Sequence, residues 1–147
     1  MTTVFKGFIL LFLLTCAQFV WAYTNLTPSQ VHNRLLAGDT VLVLDVREID
    51  EYQAGHMAEP PGNLPLTPVN MALNSGVLEE YFSFLPRGID IIVYCRSGGR
   101  SATASAFLES QGYSRIFNMT TGFSSWTYES RTGGYGDHSG SWIRSTR

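Results

Sequence analysis

Two stretches of this chain, VLVLDV at 41–46 and DIIVYC at 90–95, are apolar at consecutive positions rather than at every second one. A strand with one wet face alternates. A run without alternation belongs to a strand covered on both faces, as in a parallel sheet enclosed by helices. Helical signals lie between and after the two runs, so strands and helices alternate along the chain. The expectation is an α/β domain with a mostly parallel central sheet. The 147 residues suffice for one compact domain and not two, and 44% hydrophobic against 15% charged residues leaves enough apolar surface for a core.

The helical signals are specific. NLTPSQVHNRLLAGD predicts a first helix capped by Thr27, with Pro28 in the first helical position, Gln30 completing a capping box and Gly38 ending it. The acidic piece from Ile49 to Ala54 has room for one or two helical turns, and Pro60-Pro61-Gly62 predicts an extended loop. Thr67-Pro68 repeats the cap-plus-proline signal and predicts a helix over 68–84, weakened by Asn74-Ser75-Gly76. A further helix from about Arg100 to Gln111 offers Ala102, Ala106, Phe107 and Leu108 for packing; a strand at 115–119 and a short helix at 122–129 follow. The Gly- and Ser-rich segment 129–147 is expected to be a loosely ordered tail.

Residues 1–22 read differently. Lys6 forms a short positive region, Phe8 to Leu14 an apolar one, and Val20-Trp21-Ala22 a small-residue cleavage site, the pattern of a secretory signal peptide. The apolar stretch is short of the roughly 20 residues that span a bilayer. An exported protein is therefore expected, with the periplasm as its compartment. Of the two cysteines, Cys16 would leave with the leader and Cys95 would remain alone, as an inert buried residue, a reactive thiol or one half of an intermolecular bridge. The N-x-T sequences at Asn25 and Asn118 are read as chance. The net charge of −2 and the lack of a basic run give no sign of nucleic acid or an anionic membrane surface as partner.

Cys95 has chemically distinctive surroundings. It ends a buried strand, is followed by Arg96, Ser97, Gly98, Gly99, Arg100 and Ser101, and a helix then begins. Ligands of parallel α/β sheets bind beyond the carboxyl ends of the strands. A loop from such an end into a helix N-terminus aims backbone N–H groups at one point, and glycines let it curl into an anion-holding nest. A thiol held there is stabilised as thiolate, below the ordinary value of about 8.5. CRSGGRS thus reads as an activated nucleophile inside an anion cradle.

VYCRSGGRSATASAFLESQGYSRIFNMTTGFSSW closely resembles the catalytic half of a rhodanese domain, the sulfurtransferase family, and VLVLDVREIDEYQAGHM resembles that family's second hallmark. The likeness covers about residues 26–128. It implies a rhodanese-like domain over 23–128, with a five-stranded, mostly parallel sheet flanked by helices on both faces. It also implies a cysteine that cycles through a persulfide. Carried over, Cys95 is the sulfur-accepting nucleophile, residues 96–100 surround the outer sulfur, Arg100 closes the loop and Arg96 meets a sulfonate. Asp45 and Arg47 are implied to brace the site rather than react, with direct substrate contact left open; His56 is implied to be architectural. The implied partners are a thiosulfate or persulfide donor and a thiol or cyanide acceptor, with a protein donor or acceptor a further option. No metal or cofactor is expected. Where the family commonly has Gly-Gly, this chain has Thr121-Gly122, which reads as a minor change, and MAEPPGNLPL is slightly longer than usual. Two alternatives stand beside sulfur transfer: a persulfide carrier or partner-binding module, and a phosphatase or arsenate reductase. The latter hold their oxyanion in a loop with five residues between Cys and Arg, whereas this loop has four.

Overall fold

A computed structural model describes residues 22–58 and 68–132. The central sheet has five strands in the order β1-β6-β5-β2-β4, and every pairing in it is parallel. These are β1 (Thr24–Leu26), β2 (Val41–Asp45), β4 (Val69–Asn70), β5 (Asp90–Tyr94) and β6 (Ile116–Met119). The helices are α1 (Pro28–Leu36), α2 (Ile49–Ala54), α3 (Val77–Tyr81) and α4 (Gly99–Ser110), and β3 (His56–Met57) pairs antiparallel with β7 (Ser130–Arg131). Expected signal-peptide residues 1–21, the loop around Pro60-Pro61-Gly62 and tail residues 133–147 lie outside the described residues.

The consecutive apolar runs have the expected cause. All five residues of β2 and of β5 are buried, and their side chains divide between two cores. Leu42, Leu44, Ile91, Val93 and Cys95 join Leu78, Ala104 and Leu108 from α3 and α4. Val41, Val43, Ile92 and Tyr94 join Val31 and Leu35 from α1, with Met57 and Trp126. Helices therefore cover both faces. The capping box predicted for α1 is present, with the Thr27 hydroxyl accepting the Gln30 N–H and the Gln30 side chain accepting the Thr27 N–H.

Three expectations are corrected. The helix over 68–84 begins only at Val77, because Val69–Asn70 pairs with β2 as strand β4 and residues 73–76 form a turn. The Met71 and Leu73 N–H groups donate to Asp45 and Val46 carbonyls, and Tyr52 Oη donates to the Pro68 carbonyl at 3.0 Å. α4 buries Ser101, Ala104, Ser105 and Leu108, while Ala106 is exposed. The helix is phased by the need to aim Ser101 at Cys95, not by its most apolar stripe. The segment 122–129 forms a single 3-10 turn, Phe123–Ser125. The expected domain boundary at 128 falls just before Glu129, whose carbonyl accepts the Ala58 N–H and the Trp126 indole N–H.

At the opposite end of the sheet from Cys95, Asp90 accepts from Arg34 of α1 and from Arg115 before β6. Burial pushes the Asp90 carboxyl up, but the two guanidiniums outweigh it and hold the acid below its usual range. Its folded value is thus below its unfolded one, so the stabilisation is complete above an unfolded pKa of about 4 and disappears as pH falls through the folded value. Asp90→Asn should cost about 1–3 kcal/mol at pH 7. In thermal melts, the gap between wild type and variant should close on acidification below about pH 4.

Candidate active site

Cys95 leaves the carboxyl end of β5, and its side chain is 1% exposed. The chain bends through Arg96, Ser97 and Gly98 before α4 begins at Gly99. Gly98 has φ +95°, a left-handed conformation that turns its N–H onto Cys95 Sγ at 3.1 Å. A Cβ there would also lie 3.0 Å from the Thr121 nitrogen. Ser101 Oγ stands 3.5 Å from Sγ and 3.1 Å from the Gly98 carbonyl, within reach of both. Burial pushes the Cys95 thiol up. The Ser101 hydroxyl and the N–H groups of Ser101, Ser97 and Gly98 outweigh it, so the thiol sits below its ordinary value. Buried donors around a sulfur at a helix N-terminus favour the charged form.

The loop's two arginines differ. Arg96 is exposed. Arg100 is held on both terminal nitrogens by Glu51 of α2, Nη1 to Oε2 at 2.7 Å and Nη2 to Oε1 at 2.8 Å. That hydrogen-bonded pairing raises Arg100 and lowers Glu51, in both cases against the opposing effect of burial. Sequence reasoning missed Glu51, because its place in REIDEYQAGH gave no guide to a contact with Arg100. The contact joins residues 49 apart.

The second motif supplies a buried clamp. Asp45 is 0% and Arg47 4% exposed. The Asp45 carboxylate accepts from Arg47 Nε at 3.0 and 3.1 Å, from Nη2 at 2.6 Å and from the Arg47 backbone N–H at 2.9 Å. Arg47 Nη2 also donates to the Gly55 carbonyl at 2.7 Å, and the guanidinium lies 4.4 Å from the Phe123 ring centre. Asn70 donates to the Asp45 and Arg47 carbonyls. These contacts are those of a brace. His56 is buried, stacked on Tyr52 at 4.1 Å, with Nδ1 donating to the Tyr52 carbonyl. Burial, with Asp45 nearby, pushes the Tyr52 hydroxyl up to about 12.

The turn after β6 closes the loop from behind. Phe123 N–H donates to the Cys95 carbonyl at 2.7 Å and Ser124 N–H to the Arg96 carbonyl at 2.9 Å. The approach requires Gly122, at φ +61°, since a Cβ there would lie 2.4 Å from the Cys95 carbonyl oxygen. Thr121, the minor change, also has φ +61°. A β-branched residue in the left-handed region is strained. Side-chain hydrogen bonds within the turn, Thr121 Oγ1 to the Thr120 carbonyl and Ser124 Oγ to the Thr121 carbonyl, hold it there.

A parallel α/β domain with a buried cysteine thiol in a strand-to-helix loop defines the class. The rhodanese-like domain family model matches residues 27–129, and the chain belongs to that family. It is 36% identical over 102 residues to a sulfurtransferase of Allochromatium vinosum, covering 69% of this chain and 86% of that one. It is 33% identical to the thiosulfate sulfurtransferase GlpE of Pseudoalteromonas translucida, covering 63% and 78%. Among solved structures it is similar to a rhodanese-related protein of Thermoplasma volcanium, with a TM-score of 0.60, 28% identity and coverage of 74% and 98%. Sulfur transfer is thus the activity named for the relatives.

Two outcomes check this geometry. Cys95 alkylation by iodoacetamide, followed against pH, should show an inflection below that of an ordinary thiol, and Ser101→Ala should move it upward. Gly122→Ala should cost about 3 kcal/mol or more in denaturant unfolding, since neither carbonyl can move without breaking the loop.

Proposed function

We propose that this protein is a rhodanese-type sulfurtransferase, taking sulfane sulfur from thiosulfate or a persulfide and passing it to a thiol or cyanide through a persulfide on Cys95. The observation that carries this reading is the Cys95 thiol in its strand-to-helix loop, with the Gly98 N–H and the Ser101 hydroxyl directed at the sulfur. With thiosulfate, the Cys95 thiolate attacks the outer sulfur. A new S–S bond forms, the old one breaks, and sulfite leaves with the electron pair. An acceptor thiolate or cyanide then attacks the outer sulfur of the Cys95 persulfide and releases the thiolate. No metal, cofactor or proton relay is needed, because sulfite is already a good leaving group.

In this reading the N–H groups from Arg96 to Arg100 surround the transferred sulfur, Arg96 meets the donor's anionic end and Arg100 closes the loop. Asp45 and Arg47 hold the supporting turn. The leader-like residues 1–22 support an exported site of action. The test is intact mass before and after incubation with excess thiosulfate or a small persulfide, beside Cys95→Ser. One added sulfur atom, absent in the variant and discharged by cyanide, is the expected outcome. No gain with either donor on folded, reduced protein would overturn the reading.

A further inference from the structure

Three arginines come from the two motifs, and two of them are matched by carboxylates. Arg47 is enclosed by Asp45, and Arg100 is held on both nitrogens by Glu51. Glu48 adds a third carboxylate. One of its oxygens accepts the Glu51 N–H in the α2 capping box, while Oε1 is buried without a hydrogen-bond partner among the described residues. Its charge also bears on Arg100. Of the loop's two arginines, Arg96 alone is exposed and has no ion-pair partner among the described residues. Asp45, Glu48 and Glu51 thus balance Arg47, Arg96 and Arg100, and the thiolate leaves this set negative.

We propose that the site is built for a persulfide donor in preference to thiosulfate, with Glu51 as the residue that sets the preference by neutralising Arg100. The proposal rests on the sulfur-transfer reading above and deepens it. Thiosulfate brings two negative charges to the thiolate, so three charges are gathered as sulfite departs: Cys–S⁻ + S–SO3²⁻ gives Cys–S–S⁻ + SO3²⁻. A persulfide gathers only two at its reacting end: Cys–S⁻ + R–S–S⁻ gives Cys–S–S⁻ + R–S⁻. In both, one S–S bond forms and one breaks, and the leaving group keeps the electron pair. A site whose carboxylates already balance its arginines, with the thiolate in excess, repels the more highly charged donor more strongly, because repulsion among the anions grows with every uncompensated unit. Glu51 is a positioning residue here, acting on the donor through Arg100.

The experiment measures kcat/KM of the protein for thiosulfate and for cysteine persulfide with one fixed thiol acceptor, in wild type and in Glu51→Gln. Wild type should favour the persulfide by about tenfold or more. Glu51→Gln should shift the ratio toward thiosulfate by about tenfold, the effect of one released charge at short range. The thiosulfate KM should fall, and the rate with thiosulfate should become more sensitive to salt. A wild type that prefers thiosulfate overturns the proposal, as does a ratio unmoved in a folded Glu51→Gln that still accepts sulfur. If Glu51→Gln does not fold, the wild-type ratio decides, with Arg96→Gln as the second variant: it should lose thiosulfate use far more than persulfide use, and equal losses overturn the proposal. Failure of Cys95 to take sulfur from either donor sinks the sulfur-transfer reading itself and is distinguished by the mass measurement.

Discussion

The Cys95 loop depends on two backbone hydrogen bonds that do not involve the sulfur. Phe123 and Ser124 donate to the carbonyls of Cys95 and Arg96. A loop whose first carbonyls are held from behind has its following N–H groups turned forward, and one of them, from Gly98, reaches Sγ. The hydrogen bonds exist only because Gly122 lets one backbone lie directly on another. From Phe123 the support continues: its ring lies under the Arg47 guanidinium, which Asp45 holds at the end of β2. The two motifs, far apart in sequence, are one mechanical unit joined through Phe123.

Burying the Asp45–Arg47 pair carries a large desolvation cost, and an ion pair of this kind is weak evidence for stability. What it supplies is geometry. A bidentate guanidinium admits few orientations, and Arg47 is further restricted by the Gly55 carbonyl and the aromatic rings of Phe123 and Tyr94. An apolar pair of equal volume would fill the space without fixing the turn that carries Gly122. Asn70 completes the arrangement from β4, which explains why a strand of two residues persists at the sheet edge.

Much of this was legible in the chain. β2 and β5 announced themselves because burial on both faces removes alternation, and α1 because its cap is a local matter of Thr27, Pro28 and Gln30. The Cys95 loop was readable because its distinctive residues are contiguous. β4 was not, since Pro68 imitates a helix start and the competing hydrogen bonds come from β2. Serines 101 and 105 were passed over as packing residues because hydrophobicity, not the direction of Cys95, guided the choice of face. Glu51 and Gly122 reach Arg100 and the Cys95 carbonyl across long stretches of sequence, and their own neighbourhoods say nothing of those contacts. The strain at Thr121 was invisible for the same reason: only the fold requires a positive φ there.

The site divides its electrostatics between two sets of groups. The thiol is lowered by buried neutral donors, the N–H groups of Ser97, Gly98 and Ser101 and the Ser101 hydroxyl, at hydrogen-bond range. Such dipoles are fixed by the fold and little screened by salt. The charged groups, Arg96, Arg100 and Glu51, stand nearer solvent and add little beyond what their pairing leaves uncompensated. The ionisation of the thiol is therefore set by the loop's backbone and the Ser101 hydroxyl, and the net charge near the loop by the carboxylates around it. Because different residues control the two, the charge near the loop can be altered at Glu51 without dismantling the N–H and O–H groups that lower the thiol.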